Sequence, residues 1–479
     1  MMAVSKGLSL IFTLAVLLIS CNSSSKKQQR LSSIEEQPEV SENFFLESET
    51  VLETIEPATG IQFKEKRGIN SLNPPVMLDF TQQGLPVKDP DLADYYSSVK
   101  YIKLKFPFPE KGSFLGETDL EIRYDRGMTS ESDFYSRIYF SGDKIIAGDH
   151  YQGFYCFDSD GNYLYPIITP NRWPDYNPKT NTLSCQMDWK EKNIAGFSVA
   201  GDCYMLYFVE DGKGTMHFGN TASGKIYLQR PYYAGYRFYL LSPQTYLEYT
   251  YNPSNENAET MMYSFDIKGD TLCCFENYNP KYNKEKAPNS YSQNNSIIYG
   301  YDKQLSIRQI YNDTVFRLKS PSELQPAYVM NFGNQKQDIQ SGHGGDNSHK
   351  LILQQWLEAS GFVLITYSQD RDTPNNRKAG KVKFFYHFYD KKDKKLYALH
   401  SDFSPEKYLI RNSLENGIPI RGFFAKANEQ FLIETFTKRQ LNTLMKHESF
   451  LSLSESEQQN MKSRMDDLED TDLLIMTVQ

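Results

Sequence analysis

Cysteine is scarce in this sequence and follows no pattern. Of 6 cysteines in 479 residues, five follow Cys21: Cys156, Cys185, Cys203, Cys273 and Cys274. An odd number cannot all pair within one chain, and the spacing fits no zinc site. They read as small apolar residues on strands. Cys273 and Cys274 would face opposite sides of a strand, which argues against a bridge between them. No basic block exceeds a few residues, and the formal net charge is −8. The clustered positive footprint that nucleic acid needs is therefore missing, and no nucleic-acid partner is expected. No G-x-S-x-G elbow marks a serine hydrolase. The longest apolar run, Leu8 to Ile19, falls short of the roughly 20 residues that span a bilayer as a helix. What is abundant is tyrosine and phenylalanine, 34 and 30 residues against 3 tryptophans. These rings suit pleated, half-buried surfaces, so the composition leans to β structure.

The N-terminus stands apart. Lys6 precedes the Leu8–Ile19 stretch, whose only hydroxyl residues are Ser9 and Thr13. That pattern fits a secretory signal over residues 1–20. The sequence Leu18-Ile19-Ser20-Cys21 resembles the lipobox of bacterial lipoproteins. The resemblance implies that Cys21 is lipidated, becomes the new N-terminus and makes the membrane a partner. Residues 21–50 are polar without an apolar period and read as a tether. Asn22, not Asp, disfavours inner-membrane retention under the enteric sorting rule. The first acidic residue after Cys21 is Glu35, so the periplasmic side of the outer membrane is favoured over the cell surface. Residues 51–94 form an N-terminal extension before the main domain, 95–479.

Within that domain one hairpin recurs. "FDSDGNYLYPI" at 157 is echoed by "FDIKGDTLCCF" at 265, "YDKKDKKLYAL" at 389 and, more loosely, "FGNTASGKIYL" at 218. Each joins an aromatic strand end to an alternating apolar strand through a polar turn. The Asp158–Asn162 turn is not a calcium loop of the EF-hand kind, because its twelfth position is Thr169 where a glutamate is needed. Two further strands precede each hairpin, giving four-stranded units over 136–167, 194–230, 236–276, 296–332 and 351–400. A sixth, with strands expected at 420–426 and 431–437, lacks one member. After it comes a charged helix-like stretch, 438–469, placed outside the ring, and a final apolar strand, 473–479. Upstream, 98–107 is left over, with Ile102, Leu104 and Phe106 as its inward face. Units of 40–60 residues indicate a propeller. The expected fold is all-β, a six-bladed β-propeller closed by an N-terminal strand in the last blade, with a C-terminal helical insertion.

The segments "SSVKYIKL", "RIYFSGDKIIAGDHYQGFYCFDSDGNYL", "YNDTVFRL", "PAYVMNFG" and "EDTDLLIMTVQ" resemble, in this order, the six-bladed β-propeller lipoproteins of the Bacteroides type. That family is related in shape to NHL- and TolB-like propellers. The resemblance implies a fold and a lipoprotein habit, and carries no functional residue across.

In a propeller the turns between second and third strands share one face with the blade-to-blade connections. That face nominates Asp149, His150, Tyr151, Arg172, Trp173, Tyr176, Tyr232, Tyr233 and Arg371 as binding residues for a peptide, glycan or partner protein. Exposed rings beside such polar groups can stack on sugars or hold an extended peptide. Tyr282 falls on the same face. The alternative is a carbohydrate-active hydrolase or lyase built from Glu210, Asp211, Asp370 and Asp372, which requires carboxyl groups about 5–10 Å apart across a substrate. Glycine-rich "SGHGGDNSH" places His343, Asp346 and His349 close together but reads as a linker, so neither metal nor cofactor is expected. If Cys21 carries the anchor, Cys21→Ala will move the protein from the membrane to the soluble fraction and leave it folded; unchanged membrane association would refute the assignment.

Overall fold

The computed structural model describes residues 61–106, 137–149, 153–169, 175–177, 182–184, 193–232, 237–250, 259–277, 279, 296–338, 349–369, 382–399, 410–420, 426–427, 431–446, 448–451, 453–469 and 472–479. The expected signal peptide and tether lie outside these residues. Six blades of four antiparallel strands form the body, and two short strands paired in parallel extend the sheet of blade four to six strands. With strands named a to d in ladder order, blade one is 137–141, 144–149, 153–158 and 163–168, and blade two is 193–200, 203–210, 213–220 and 226–232. Blade three is 237–242, 245–249, 260–266 and 271–276; blade four is 297–301, 304–308, 314–320 and 323–331. Blade five is 351–358, 362–369, 383–390 and 395–398. Strand a of blade two touches strand a of blades one and three, and the a strands of blades five and six also touch. The a strands therefore surround the centre of the ring.

The sixth blade takes its strands from both chain ends: 426–427, 432–437, 473–478 and 99–104. Strand 473–478 is hydrogen-bonded on both edges, pairing Thr437 with Leu473 on one side and Leu473 with Leu104 on the other. All six of its residues are buried. An apolar run with no polar face is what a strand flanked on every side requires. Its partner 99–104 is two-sided as well. Ile102, Leu104 and Phe106 pack towards blade one, while Val99 and Tyr101 pack towards blade five. The repeated turn adds a clasp here. Asp158 accepts from the backbone N–H of Asp160 (3.0 Å) and Asn162 (2.9 Å) and from the Asn162 amide (3.0 Å), so its carboxylate organises the turn. Gly161 adopts φ +86°, and a Cβ there would lie 2.1 Å from the Lys103 carbonyl. Only glycine lets this turn approach the closing strand so closely.

The core is six separate clusters, one between each pair of neighbouring blades. Aromatic side chains fill them, as the composition leads one to expect: Phe154 and Phe197 stack at 4.2 Å between blades one and two, and Phe362 and Phe388 at 4.8 Å in blade five. Cys156, Cys203 and Cys273 are buried free thiols on strands, and Cys274 is less buried than its neighbour.

Residues 61–98 form a belt around the rim, a feature with no clear sequence signal. Phe63 bridges Cys273 of blade three, Lys66 and Arg67 pair in parallel with Glu323 and Leu324, and Val76–Asp79 pair with Tyr328–Asn331 of blade four. Val87 then bridges Ala398 of blade five. Outer strands that would present open edges are thus covered. Lys88 pins the belt to blade five: its ammonium bonds to Asp390, which also accepts from the Tyr95 hydroxyl at 2.7 Å. It sits 5.0 Å from the Tyr397 ring centroid and 5.5 Å from those of Tyr95 and Phe388.

Of the strand expected at 420–426, residues 421–425 lie outside the described residues; Ile420 makes an isolated bridge to Ile410, and 426–427 pair as strand a of blade six. One expectation needs correction. The helical stretch is not external to the packing. It folds as α1 (438–444), α2 (448–451) and α3 (455–466). Thr437 and Ser454 form capping boxes with Gln440 and Glu457, satisfying N-terminal amides that a helix leaves unpaired. Leu441, Leu444, Phe450, Met461 and Leu468 are buried in the cluster between blades five and six. Truncation Phe450→Ala or Met461→Ala should therefore cost about 2–5 kcal/mol each, read from urea unfolding at equilibrium; losses under 0.5 kcal/mol would place the helices outside the core after all. Removing 473–479 should leave no soluble folded protein, since it strips both neighbours of their pairing, and a cooperative transition in that truncation would contradict the closure.

Candidate functional site

The two faces of the ring differ in how the chain turns. Turns between a and b and between c and d are short in every blade whose four strands run consecutively, as at 142–143, 159–162, 201–202, 302–303 and 321–322. The opposite side carries the long connections: 105–136, 169–192, 277–296, 332–350 and 399–425 between blades, and 370–382 and 438–472 within them. The latter contains α1–α3, and 169–192 contains a two-stranded hairpin in which Tyr176 pairs with Leu183. A rigid body with its long loops gathered on one side is the usual arrangement of a binding surface.

The expected residues fall on that long-loop side to the extent that they are described. Asp149 ends strand b of blade one, Tyr232 ends strand d of blade two and Tyr176 stands in the hairpin. His150, Tyr151, Arg172, Trp173, Tyr233, Tyr282 and Arg371 lie outside the described residues, as do Cys21, Asp370, Asp372, His343 and Asp346. Glu210 closes strand b of blade two, opposite Lys213. Asp211 and Gly212 follow with φ +49° and +73°, a two-residue hairpin turn that explains this acidic pair without chemistry. His349 is exposed at φ +63°. Among the described residues no three His, Cys, Asp or Glu side chains gather as metal ligands, and no helix is long and apolar enough to cross a membrane.

The densest ionisable cluster lies elsewhere, between blades four and five on the short-turn side. Glu358 ends strand a of blade five with its side chain only 1% exposed. Arg317 from strand c of blade four straddles the carboxylate at 2.6 Å to both oxygens. Lys391, from the c–d turn of blade five, reaches Oε1 at 2.9 Å. The hydroxyls of Tyr299 and Tyr328 donate to it at 2.6 and 2.7 Å. Trp356 Nε1 donates to Tyr299 at 2.8 Å, and Lys391 also reaches the Tyr301 hydroxyl at 2.9 Å and the Ala359 carbonyl at 2.7 Å. Both cations stack on Tyr301, Lys391 at 4.2 Å and Arg317 at 4.6 Å from the ring centroid.

Burial alone would raise the Glu358 pKa, but Lys391 and Arg317 outweigh it and hold the carboxyl below its ordinary value. Burial, then the adjacent carboxylate, pushes Tyr299 and Tyr328 far above the usual phenol range, and Tyr301 to about 12. Every strong acceptor site on Glu358 is taken, and the phenols stay protonated. A group so saturated has no lone pair free to take a substrate proton, so this is a bolt between blades and not an acid–base centre. Sequence reasoning passed over it because its members come from separate strands. The available signal was a lone arginine inside the apolar run "TVFRL".

His387 is another buried titratable group in blade five. It stacks on Tyr367 at 5.1 Å and meets Phe80 of the belt edge-on at 5.4 Å. Burial lowers its pKa to about 4, so it is neutral in the fold.

A family model described as "Domain of unknown function (DUF4933)" matches residues 58–447. No curated protein matches the sequence. Among solved structures, a "Putative exported protein" from Bacteroides fragilis superposes with a TM-score of 0.50 at 10% identity, covering 84% of this chain and 99% of that one. BamB from Moraxella catarrhalis gives 0.29 at 10% identity, over 54% and 62% of the two chains. The first of these shares the fold; the second score is too low to carry an argument.

Removing the carboxylate at 358 should strand the buried Arg317 and the half-buried Lys391. Glu358→Ala is expected to lose about 3–5 kcal/mol at pH 7. A carboxyl with a depressed folded pKa stabilises above its unfolded value and loses that contribution as pH falls through the folded one. The gap between wild type and variant should thus narrow below pH 4.5, the ordinary glutamate value. A gap that stays constant from pH 7 to 3 would show that charge is not what the bolt supplies.

Proposed function

We propose that this chain, which belongs to the DUF4933 family, is an envelope-tethered binding module. It offers the long-loop side of its propeller to an extended peptide, a glycan or a partner protein. One observation carries the reading: short turns confine one side of the ring, while nearly all of the chain's excess length is gathered on the other. Of the aromatic residues nominated from the sequence, Trp173 and Tyr176 belong to the long connection 169–192, and Tyr232 and Tyr233 stand at the short connection that follows blade two. Tyrosine and tryptophan give large contact area at small cost in side-chain entropy, whether the ligand is a sugar ring or a peptide. The lipobox-like Leu18–Cys21 supports tethering at a membrane. The densest buried ionisable cluster, around Glu358, is internally satisfied and so gives catalysis no foothold there.

Glycan and peptide arrays probed with the soluble chain should return a ligand whose affinity falls at least tenfold in Trp173→Ala and Tyr176→Ala. Asp160→Ala, on the short-turn side, should leave it unchanged. Turnover of a glycan that is lost in Asp370→Asn or Asp372→Asn would replace this reading with the hydrolase or lyase alternative.

A further inference from the structure

Large apolar side chains left in water are unevenly distributed over the molecule. Nine are exposed among the described residues, and Leu164, Phe384 and Leu451 are scattered singly. The other six, Ile61, Phe63, Ile69, Leu72, Met77 and Val87, all belong to the belt, with exposures from 51% at Phe63 to 86% at Leu72. Isolated exposed leucines need no explanation, but six along one segment do.

The belt's inner side already has its partner, since Leu78 and Phe80 are buried against blades four and five. The outward side chains serve no packing in the ring. Between them stand Lys64 and Lys66, both exposed, with Arg67 close behind. Glu65, the one acid in 61–77, is taken up by Arg67 at 2.6 Å. Alternating apolar and basic groups in a chain of net charge −8 complement one kind of surface: an apolar interior beneath anionic headgroups. A long basic or aromatic side chain at such a boundary puts its stem in the apolar layer and its polar end in water.

We infer that the outward side of the belt over residues 61–77, along the outer strands of blades three and four, rests on the surface of an anionic lipid bilayer. The inference rests on the proposed membrane tethering through Cys21, which would bring the belt, the first described part of the chain after that residue, to the same membrane. Contact through the rim would stand the ring on its edge. Both faces, including the long-loop side, then stay clear of the lipid.

The test uses residues 22–479, which keep every described strand and core cluster but no signal and no lipid. Flotation with vesicles of phosphatidylethanolamine and phosphatidylglycerol should recover the protein. Lys64→Gln and Lys66→Gln should each reduce binding about fivefold on the anionic vesicles, an effect that weakens in 0.5 M salt. Phe63→Glu with Leu72→Glu should reduce it at least tenfold, with an unchanged melting temperature because both residues are exposed. Should that pair lower the melting temperature, Ile69→Ser with Met77→Ser gives the same reading. Failure of the wild-type chain to float, or equal flotation of all variants, overturns the inference. So does sedimentation showing that Leu72→Glu dissociates a dimer while vesicles bind nothing. Because Cys21 is absent from this chain, none of these results bears on the anchor, which is read separately by palmitate labelling in cells.

Discussion

Strand 473–478 is the constraint on which the architecture turns. Here the two ends of the folded body pair in one sheet, and the strand is bonded along both edges by 432–437 and 99–104. Each neighbouring interblade cluster draws on it: Leu474, Met476 and Val478 point to blade five, Leu473 and Ile475 to blade one. Without it the last blade has no third strand, the belt loses the strand it leads into, and the turn at Gly161 has nothing to rest against. Cooperativity around a ring of six otherwise separate cores depends on this closure, because each core is shared by two blades and none is self-sufficient.

Polar pins supplement that apolar closure at the blade interfaces. Ser141 donates to the Gly201 carbonyl at 2.6 Å between blades one and two, the Leu240 amide donates to Ser198 at 3.0 Å between blades two and three, and the Ser264 hydroxyl bonds to the Pro321 carbonyl between blades three and four. The Glu358 group is the charged member of this series, between blades four and five. Buried charge of this kind gives little net stability beyond an apolar equivalent. Its geometry is far more demanding, however, and it fixes how the two blades register. The molecule thus uses apolar area for strength and directional bonds for alignment.

Much of this was legible in the sequence. The units expected over 136–167, 236–276 and 296–332 agree within one residue with blades one, three and four, because antiparallel meanders are local and their turns carry recognisable Asp, Asn and Gly residues. The closing role of 473–478 could be read from an apolar run with no polar face. The belt could not. Its pairs are parallel, its partners lie some 200 to 300 positions away, and its bonds are made by backbone groups that any side chain allows. Glu358 and Arg317 were hidden for a different reason. A charge at the end of an apolar strand is ordinary, and only the folded ring brings its partners within reach. The nominated binding residues came from topology alone: strand order assigns Asp149, Tyr176 and Tyr232 to a side of the ring, while binding depends on side-chain chemistry that strand order does not carry.

The C-terminus has a practical consequence. Gln479 is exposed and exchanges backbone hydrogen bonds of 3.0 Å with Ser98, at the end of strand 473–478 that emerges among the short turns. A fluorophore, affinity handle or sensor-chip linkage fused there leaves from the side opposite the long loops. Immobilised in that way, every molecule on the chip presents the same loop-rich surface to solution, without its attachment chemistry competing for it.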